Sequence, residues 1–291
     1  MKKIILMLLA SALLVNGAFA WGKKKAKAPK AAPLTTYAGP TKTGVNFADM
    51  VSKSSDLKAL VKKGQITVAT GTYVPFEYRD SKTNEIVGFD IELAKYISQK
   101  LGVELSVTDM AFQAIIPSIQ NGSYDFSIAA MYKTPARCEV VLMSKSYCDT
   151  GMILAVKENG KYKDIKSLAD CAGLKVAVKT GATSQKVAED FMKEHPEVKY
   201  QIVGFDDTVG CVSDLLAGRC DVVVNDLLNQ QELNKTYSGV SIVCEPFTHA
   251  ENAIAVKKGR SDLLAFIDAC IDEYYADGTY KSLWSKWIEG K

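Results

Sequence analysis

Short apolar strands alternate with amphipathic helices along most of this chain, and the alternation runs twice. In the first run, a strand at Gln65–Thr70 is followed by a helix at 91–101 and by a second strand at 103–107. In the second run, a strand at Lys175–Lys179 leads into a helix at 184–194 and a strand at 200–203. Short apolar strands separated by helices are typical of parallel βαβ units. The pattern therefore predicts an α/β protein with mostly parallel sheets.

The two runs are separated by extended stretches, at 152–156 after the first and at 253–256 after the second. Two amphipathic helices, at 262–276 and 279–288, end the chain. We therefore predict two α/β lobes, with the C-terminus returning to the first lobe. Open α/β sheets bind ligands beyond the carboxyl ends of their strands. Two lobes that face each other in this way enclose a ligand cleft.

The first 44 residues precede the α/β pattern. A basic start, an apolar run over residues 4–15 and small residues at 18 and 20 predict a signal peptide at 1–20 that is cleaved after Ala20, with an uncleaved anchor as the alternative. Residues 21–44 are rich in Lys, Ala and Pro and are predicted to be a flexible linker. These two segments hold eight of the 36 basic residues, so 28 remain against 33 acidic ones and the folded part carries about −5. Nucleic-acid binding therefore has no support.

Seven cysteines and two histidines are the candidate metal or redox ligands. They form no C-x-x-C pair and show no Cys/His metal spacing, so neither a metal site nor a cofactor is predicted. Because the number of cysteines is odd, at least one thiol stays free or pairs between chains.

The residues that follow the strands are the candidate ligand contacts, since the carboxyl ends of the strands border the cleft. Tyr73 follows the first strand and Phe112 the second. Arg137 comes after the strand at 124–130, in the first turn of a helix that Thr134 and Pro135 begin. A cation at that end opposes the helix dipole, so the helix itself gives no reason for Arg137.

In the second run, Lys179 ends a strand, and a glycine turn leads into a helix that begins near Thr183. The free N–H groups of such a helix start suit an anion. Asp226 follows the strand at 221–225. Arg137 and Thr183 suit a carboxylate, whereas Asp226 suits an ammonium. An α-amino acid carries both groups on one carbon, so the joint placement predicts amino-acid binding.

Each of these side chains also has a plain structural interpretation, which the residues alone leave open. Tyr73 and Phe112 are core aromatics in that interpretation, and Asp226 caps the helix that follows it. Arg137 and Lys179 are then solvated surface residues.

Seven segments between about residues 60 and 288 occur here in a specific order: "GTYVPFEY", "IVGFDIELAKYISQKLG", "IIPSIQNGSYDFSIAAM", "TPARCEVVLMSKSY", "KVAVKTGATS", "LLAGRCDVVVND" and "DGTYKSLWSKWI". This series resembles the family 3 extracellular solute-binding proteins, the periplasmic receptors for polar amino acids in ABC importers. The resemblance implies a two-lobed periplasmic-binding-protein fold, each lobe a mostly parallel sheet flanked by helices.

By the family pattern, lobe 1 comprises residues 45–150 plus 251–291, and lobe 2 comprises residues 151–250. In the segment "VGFD", Phe89 is expected to pack in the core and Asp90 to cap the following helix. Cys171 and Cys220 precede strands that are neighbours in this fold, so a disulfide between them is one expectation.

The resemblance also implies the roles of the site residues. The guanidinium of Arg137 grips the ligand α-carboxylate with help from Thr183, and Asp226 binds the α-amino group. Lys179 faces the ligand side chain. The expected stacking aromatics are Tyr73 and Phe112.

This sequence departs from the family pattern around the expected site. Tyr132 stands where a small hydroxyl residue is common, and Ala129 and Ala130 replace a small polar or glycine pair. Members for cationic ligands often carry Asp where Thr70 stands, and they lack a lysine at 179. A lysine that faces the ligand side chain repels Lys or Arg and suits an amide or a carboxylate. We therefore expect a neutral or acidic polar amino acid such as glutamine.

The sequence thus predicts a binding protein and not an enzyme. A periplasmic monomer would bind the amino acid between its lobes and deliver it to an ABC-type permease in the membrane. One alternative is a ligand-sensing ectodomain or adaptor for a membrane receptor. Another is a prephenate-type dehydratase on the same fold, although no Ser/His/Asp set or paired acid and base is visible.

Overall fold

The computed structural model of the protein describes residues 35–291. The predicted signal peptide at 1–20 and residues 21–34 of the predicted linker lie outside these residues. Within residues 35–291, no helix has the length and apolar character needed to cross a membrane.

The chain builds one sheet, then a second, and returns to the first. The first part contains α1 (Phe47–Lys53), α2 (Ser55–Lys63), β1 (Gln65–Thr70), β2 (Tyr78–Arg79), β3 (Ile86–Val87), α3 (Phe89–Leu101), β4 (Glu104–Asp109), α4 (Phe112–Gln120), β5 (Phe126–Ser127), α5 (Pro135–Val140) and β6 (Leu142–Thr150). The middle part contains β7 (Met152–Lys157), a 3₁₀ turn (Leu168–Cys171), β8 (Lys175–Lys179), α6 (Thr183–Glu194), β9 (Gln201–Phe205), α7 (Thr208–Leu216), β10 (Val222–Asp226), α8 (Leu227–Thr236) and β11 (Val240–Ile242). The last part contains β12 (Ala250–Val256), α9 (Ser261–Ala276), α10 (Thr279–Trp284) and a π turn (Ser285–Glu289).

The two large sheets have the strand orders β4-β1-β5-β12-β6 and β11-β7-β10-β8-β9. In each sheet, three neighbouring strands run parallel, β4-β1-β5 in the first and β10-β8-β9 in the second. The other two strands run antiparallel to their neighbours. The predicted α/β fold with two helix-flanked, mostly parallel sheets is confirmed. Below, lobe 1 and lobe 2 denote the first and the second sheet with their helices.

The central strands of lobe 2, β8 and β10, are buried on both faces, which explains why they are largely apolar instead of alternating. In lobe 2, Val176 and Val178 of β8 belong to one core cluster. Ala177, between them, belongs to another cluster with Cys211 and Leu215 of α7. The helices on the two faces therefore hold the strand ends in fixed positions.

The segment "VGFD" begins α3 differently from the prediction. Phe89 is fully buried, as expected, but the N-cap is Gly88 with φ 132°. A Cβ at Gly88 would lie 2.2 Å from the carbonyl oxygen of Phe76, so this close approach requires glycine. Asp90 is therefore not the cap. Its carboxylate instead accepts a hydrogen bond from the backbone N–H of Ala130, at 2.7 Å.

Residues 36–43, here called the N-terminal strap, lie along lobe 1. The backbone N–H of Tyr37 donates to the carbonyl of Lys100 at 3.0 Å. The carboxylate of Glu273 accepts the N–H groups of Lys42 and Thr43, each at 2.8 Å. This part of the predicted linker is thus held to lobe 1 in the structure, because acceptors on α3 and α9 bind its backbone donors.

All seven cysteines are free thiols. Cys171 packs on one face of the lobe 2 sheet, and Cys220 packs on the opposite face. The expected disulfide between them is therefore wrong, since the sheet separates the two thiols.

Candidate functional site

A pocket lies between the two lobes, where the carboxyl ends of their parallel strands meet. Seven of the predicted site residues line it: Tyr73, Phe112, Ala130, Tyr132, Arg137, Lys179 and Thr183. The wall also contains Ala129, Met152, Ala182, Ser184, Thr208 and Asn225. The wall thus carries two cationic side chains and no carboxylate.

Arg137 reaches the pocket from the first turn of α5. The side chain of Thr134 caps this short helix by accepting the N–H of Arg137 at 3.3 Å, as the sequence predicted. The guanidinium lies 5.3 Å from the ring centre of Phe112, and its Nη1 donates to the carbonyl of Tyr132 at 2.7 Å. Burial lowers the pKa of Arg137 to about 10, so the group stays charged at neutral pH.

Lys179 is the last residue of β8, and its side chain is only 5% exposed. Its Nζ lies 4.6 Å from the ring centre of Tyr73 and 4.8 Å from that of Phe112. Burial lowers the pKa of Lys179, because the charged form loses its hydration. The ammonium donates one hydrogen bond, to the carbonyl of Thr72 at 3.3 Å.

The start of α6 forms another part of the wall, through Thr183 and Ser184. The turn that leads into α6 passes against α4: a Cβ at Gly181, whose φ is 73°, would lie 3.0 Å from the Cβ of Gln113. The N-cap is Ala182, which offers no side-chain acceptor to the first N–H groups of the helix. These N–H groups and the positive end of the helix dipole are therefore available to an anion.

Two predicted site residues lie behind the wall. The hydroxyl of Thr70 is fully buried and donates to the carbonyl of Ile128 at 2.6 Å. Asp226 is 1% exposed, and its Oδ1 caps α8 by accepting the N–H of Leu228 at 2.9 Å. Thr70 therefore does not line the pocket in this structure, because its hydroxyl bonds within lobe 1.

Asp226 has a second partner, which belongs to the other lobe. The hydroxyl of Tyr132 donates to its Oδ2 in a short hydrogen bond. Burial raises the pKa of Asp226, and burial together with the Asp226 charge raises the pKa of Tyr132. The Tyr132 hydroxyl thus stays protonated and holds the carboxylate at the back of the pocket.

Asn225 and Thr208 are polar wall residues that the sequence interpretation missed. Asn225 directly precedes Asp226, and its Oδ1 accepts the hydroxyl of Tyr73 from lobe 1 at 3.0 Å. Thr208 begins α7 shortly after β9. Ligand contacts are expected at the carboxyl ends of strands. Applying this rule to β9 and to the last residues of β10 would have identified both residues.

Metal binding has no candidate site in the described part of the chain, since residues 35–291 contain no group of three or more Asp, Glu, His or Cys that could hold an ion. What the wall offers is a pair of buried cations, a helix start and aromatic rings. This arrangement suits a small anionic or zwitterionic ligand.

Comparisons with known proteins agree with this fold. The model of the family described as bacterial extracellular solute-binding proteins, family 3, matches residues 66–290. ABC transporter arginine-binding protein 1 of Escherichia coli (strain K12) is 32% identical over 224 residues, which are 75% of this chain and 88% of that protein. The ABC transporter glutamine-binding protein GlnH of Bacillus subtilis (strain 168) is 31% identical over 250 residues, 83% of this chain and 88% of that protein.

Solved structures show the same likeness. The P235GK mutant of ArgBP from T. maritima superimposes with a TM-score of 0.75 at 31% identity, over 80% of this chain and 99% of that one. The ancestral amino acid-binding protein AncCDT-1, a precursor of cyclohexadienyl dehydratase, gives a TM-score of 0.73 at 32% identity, over 81% and 100%. With a family match over most of its length and relatives covered almost end to end, the chain belongs to the bacterial extracellular solute-binding proteins of family 3.

Proposed function

We propose that this protein binds a polar α-amino acid in the pocket between its lobes. The observation that carries the proposal is the buried guanidinium of Arg137. A guanidinium has five N–H donors, and among residues 35–291 only the carbonyl of Tyr132 accepts from it. A ligand carboxylate would occupy the remaining donors together with the first N–H groups of α6 at Thr183. Asp226 would receive the ligand ammonium at its Oδ2, where the ammonium would have to displace the hydroxyl of Tyr132.

Within this proposal, the ligand has a neutral or acidic side chain, such as that of glutamine. Lys179 is buried beside the aromatic rings and has one hydrogen-bond acceptor in the described part of the protein, so its other donors favour a ligand amide or carboxylate oxygen. A ligand guanidinium or ammonium at the same place would be repelled in a poorly hydrated site. The relatives named above include both an arginine-binding and a glutamine-binding protein.

A thermal-shift screen of the twenty amino acids and cystine tests the proposal. Ligand at about 100 times its dissociation constant adds roughly 2.7 kcal/mol of stability. We expect the largest shift with glutamine or another neutral or acidic polar amino acid, and none with glutamine's decarboxylated analogue 4-aminobutanamide. A shift with no amino acid, or a shift that is largest with arginine, would contradict the proposal.

Export to the periplasm and delivery to an ABC-type permease complete the proposed function. The family description as extracellular solute-binding proteins supports export, and the names of the relatives as ABC transporter binding proteins support delivery to a permease. N-terminal sequencing of the exported protein should find Trp21 as the first residue. Cross-linking of the ligand-loaded protein in its own membranes should retrieve a permease, whereas retrieval of a receptor without a permease would favour the adaptor role.

We propose no catalytic role for the pocket. The relatives named above are binding proteins, although AncCDT-1 is described as the precursor of a dehydratase. The wall carries no carboxylate that could serve as general acid or base. Incubation with prephenate should therefore yield no aromatic acid, and its appearance would overturn this assignment.

A further inference from the structure

Asp90, from the segment "VGFD", is a fully buried carboxylate that lies outside the pocket wall. Its Oδ2 accepts the N–H of Ala130 at 2.7 Å and the hydroxyl of Tyr147 at 2.8 Å. It also lies in the first turn of α3, where the helix dipole favours a negative charge. One of the two hydrogen-bond partners of this carboxylate, Ala130, lies on the wall of the ligand pocket.

Ala130 needs external support, because its backbone has φ 44°. This left-handed conformation is disfavoured for any residue with a Cβ. Ala130 nevertheless lies on the pocket wall, between β5 and the Arg137 helix. A hydrogen bond from its N–H to a charged acceptor is the kind of contact that holds such a conformation in place.

The position of Ala130 determines where the next residues of the chain lie. Tyr132, two residues later, supplies the carbonyl that accepts the guanidinium of Arg137 at 2.7 Å. The hydroxyl of Tyr132 binds Asp226 on the other lobe. A displacement at Ala130 would therefore move the groups proposed to grip both ends of the ligand.

A second buried carboxyl, that of Glu77, supports Asp90. Neither oxygen of Glu77 nor Oδ1 of Asp90 has a conventional hydrogen-bond donor. The two buried carboxyl groups lie close enough for the charge of Asp90 to influence Glu77. Burial, with the charge of Asp90 as the second cause, raises the pKa of Glu77 well above its ordinary value, so Glu77 is the neutral member of the pair. When Asp90 is ionised, the negative charge of the pair therefore lies on the side that faces Ala130.

We propose that Asp90 is a positioning residue of the ligand site, which fixes the left-handed backbone of Ala130 and thereby the Tyr132 carbonyl that orients Arg137. The identity of the ligand in this proposal rests on the proposed function. The contacts of Asp90 with Ala130 do not depend on it. Glu77 assists by staying neutral beside Asp90, so that the pair carries no more than one charge.

The first test compares Asp90→Ala, Ala130→Gly and the double variant by calorimetry with L-glutamine. Asp90→Ala should raise the dissociation constant at least tenfold. Glycine adopts positive φ without strain, so the double variant should bind glutamine at least threefold more tightly than Asp90→Ala alone. Glu92→Ala, on the same helix but paired with Lys95 and Lys286, is the matched control and should stay within twofold of the parent. A folded Asp90→Ala variant that binds like the parent would overturn the proposal.

The second test needs neither ligand nor the most disruptive variant. Asp90→Asn keeps the side-chain shape but removes the charge, so the amide hydrogen of Ala130 should exchange with solvent at least tenfold faster while amides in the middle of α3 are unchanged. Equal exchange of the Ala130 amide in parent and variant would refute the positioning role. If the exchange result holds but the parent does not bind glutamine, the ligand assignment fails and the positioning role stands.

Discussion

At the scale of single residues, Arg137 and Lys179 set the charge of the site. Both side chains lie against the ring of Phe112, with distances to its centre of 5.3 and 4.8 Å. Each has one backbone carbonyl as its side-chain acceptor in the described part of the protein. Two buried cations with spare donors predict a ligand that brings hydrogen-bond acceptors at both of its ends.

Replacing Lys179 by methionine should change the ligand preference. The variant loses a hydrogen bond from a charged group, so glutamine should bind about 10- to 100-fold more weakly. Arginine should lose less or gain, because the repelling charge is gone. Calorimetry with both amino acids measures the ratio, and Lys175→Met, at the exposed start of the same strand, is the control. An unchanged ratio would show that Lys179 does not face the ligand side chain.

The buried Asp90 should make stability depend on pH. Burial raises the pKa of Asp90 to about 7. The hydrogen bonds from Ala130 and Tyr147 favour the charged form and lower the pKa, but burial has the larger effect. Folding therefore takes up a proton between about pH 4 and pH 7. The contribution is favourable below pH 4 and is lost as the pH rises through 7.

Denaturant unfolding of the parent and Asp90→Asn across this range measures the effect. The free energy of unfolding of the variant, relative to the parent, should increase from pH 4 to pH 7, because the variant has no carboxyl to ionise at position 90. The charged or titratable groups near Asp90 include Glu77, Tyr147, Cys148 and Tyr274. These are present in both proteins, so a difference that stays flat with pH would contradict the assignment.

Sequence reasoning located residues of the site where a side chain directly follows a strand. Tyr73, Arg137 and Lys179 line the pocket for that reason. It did not find that Tyr132 binds Asp226, because these residues are 94 positions apart and belong to different lobes. Neither residue carries a local signal for the other, so only the folded molecule reveals the contact.

At the scale of elements, strands and helices that depend on their own local sequence were predicted well. The strand Lys175–Lys179 has the bounds expected from the sequence. The strand expected over 124–130 pairs only at Phe126–Ser127, because the chain turns away at Ala130. The N-terminal strap has no periodic pattern, and its order depends on an acceptor more than 200 residues away.

That acceptor, Glu273 of α9, gives a prediction about stability. It receives the N–H groups of Lys42 and Thr43 and the hydroxyl of Thr43 at 2.7 Å. Glu273→Ala should lower the free energy of unfolding by about 1–3 kcal/mol, since these donors lose a charged partner. The neighbouring Asp272 forms only an exposed ion pair with Lys145, so Asp272→Ala should cost less than about 1 kcal/mol.

Chemical denaturation distinguishes the two variants, and glutamine affinity should be the same in both, because the strap lies away from the pocket. Equal stability of Glu273→Ala and Asp272→Ala would mean that the strap does not contribute to the fold.

At the scale of the whole molecule, side chains join the two lobes around the pocket. The hydroxyl of Tyr73 donates to Asn225 at 3.0 Å, and the amide of Asn229 donates to the carbonyl of Val74 at 2.6 Å. Tyr132 with Asp226 and Lys179 with Thr72 add two further hydrogen bonds between the lobes. The lobes are thus closed over the site, so a ligand held there contacts both. The alternating strands and helices predicted each sheet, but the details of closure depend on contacts between distant parts of the chain.

The central claim is that this closed site holds an amino acid by its carboxylate at Arg137. Calorimetric titration of L-glutamine, or of the amino acid that gives the largest thermal shift, into the parent and Arg137→Ala tests it most directly. The exposed Arg219, paired with Asp214, provides the control Arg219→Ala. We predict binding by the parent and the control, and affinity weaker by about 2–4 kcal/mol, roughly 30- to 1000-fold, in Arg137→Ala. Parent-like binding by Arg137→Ala would contradict the account.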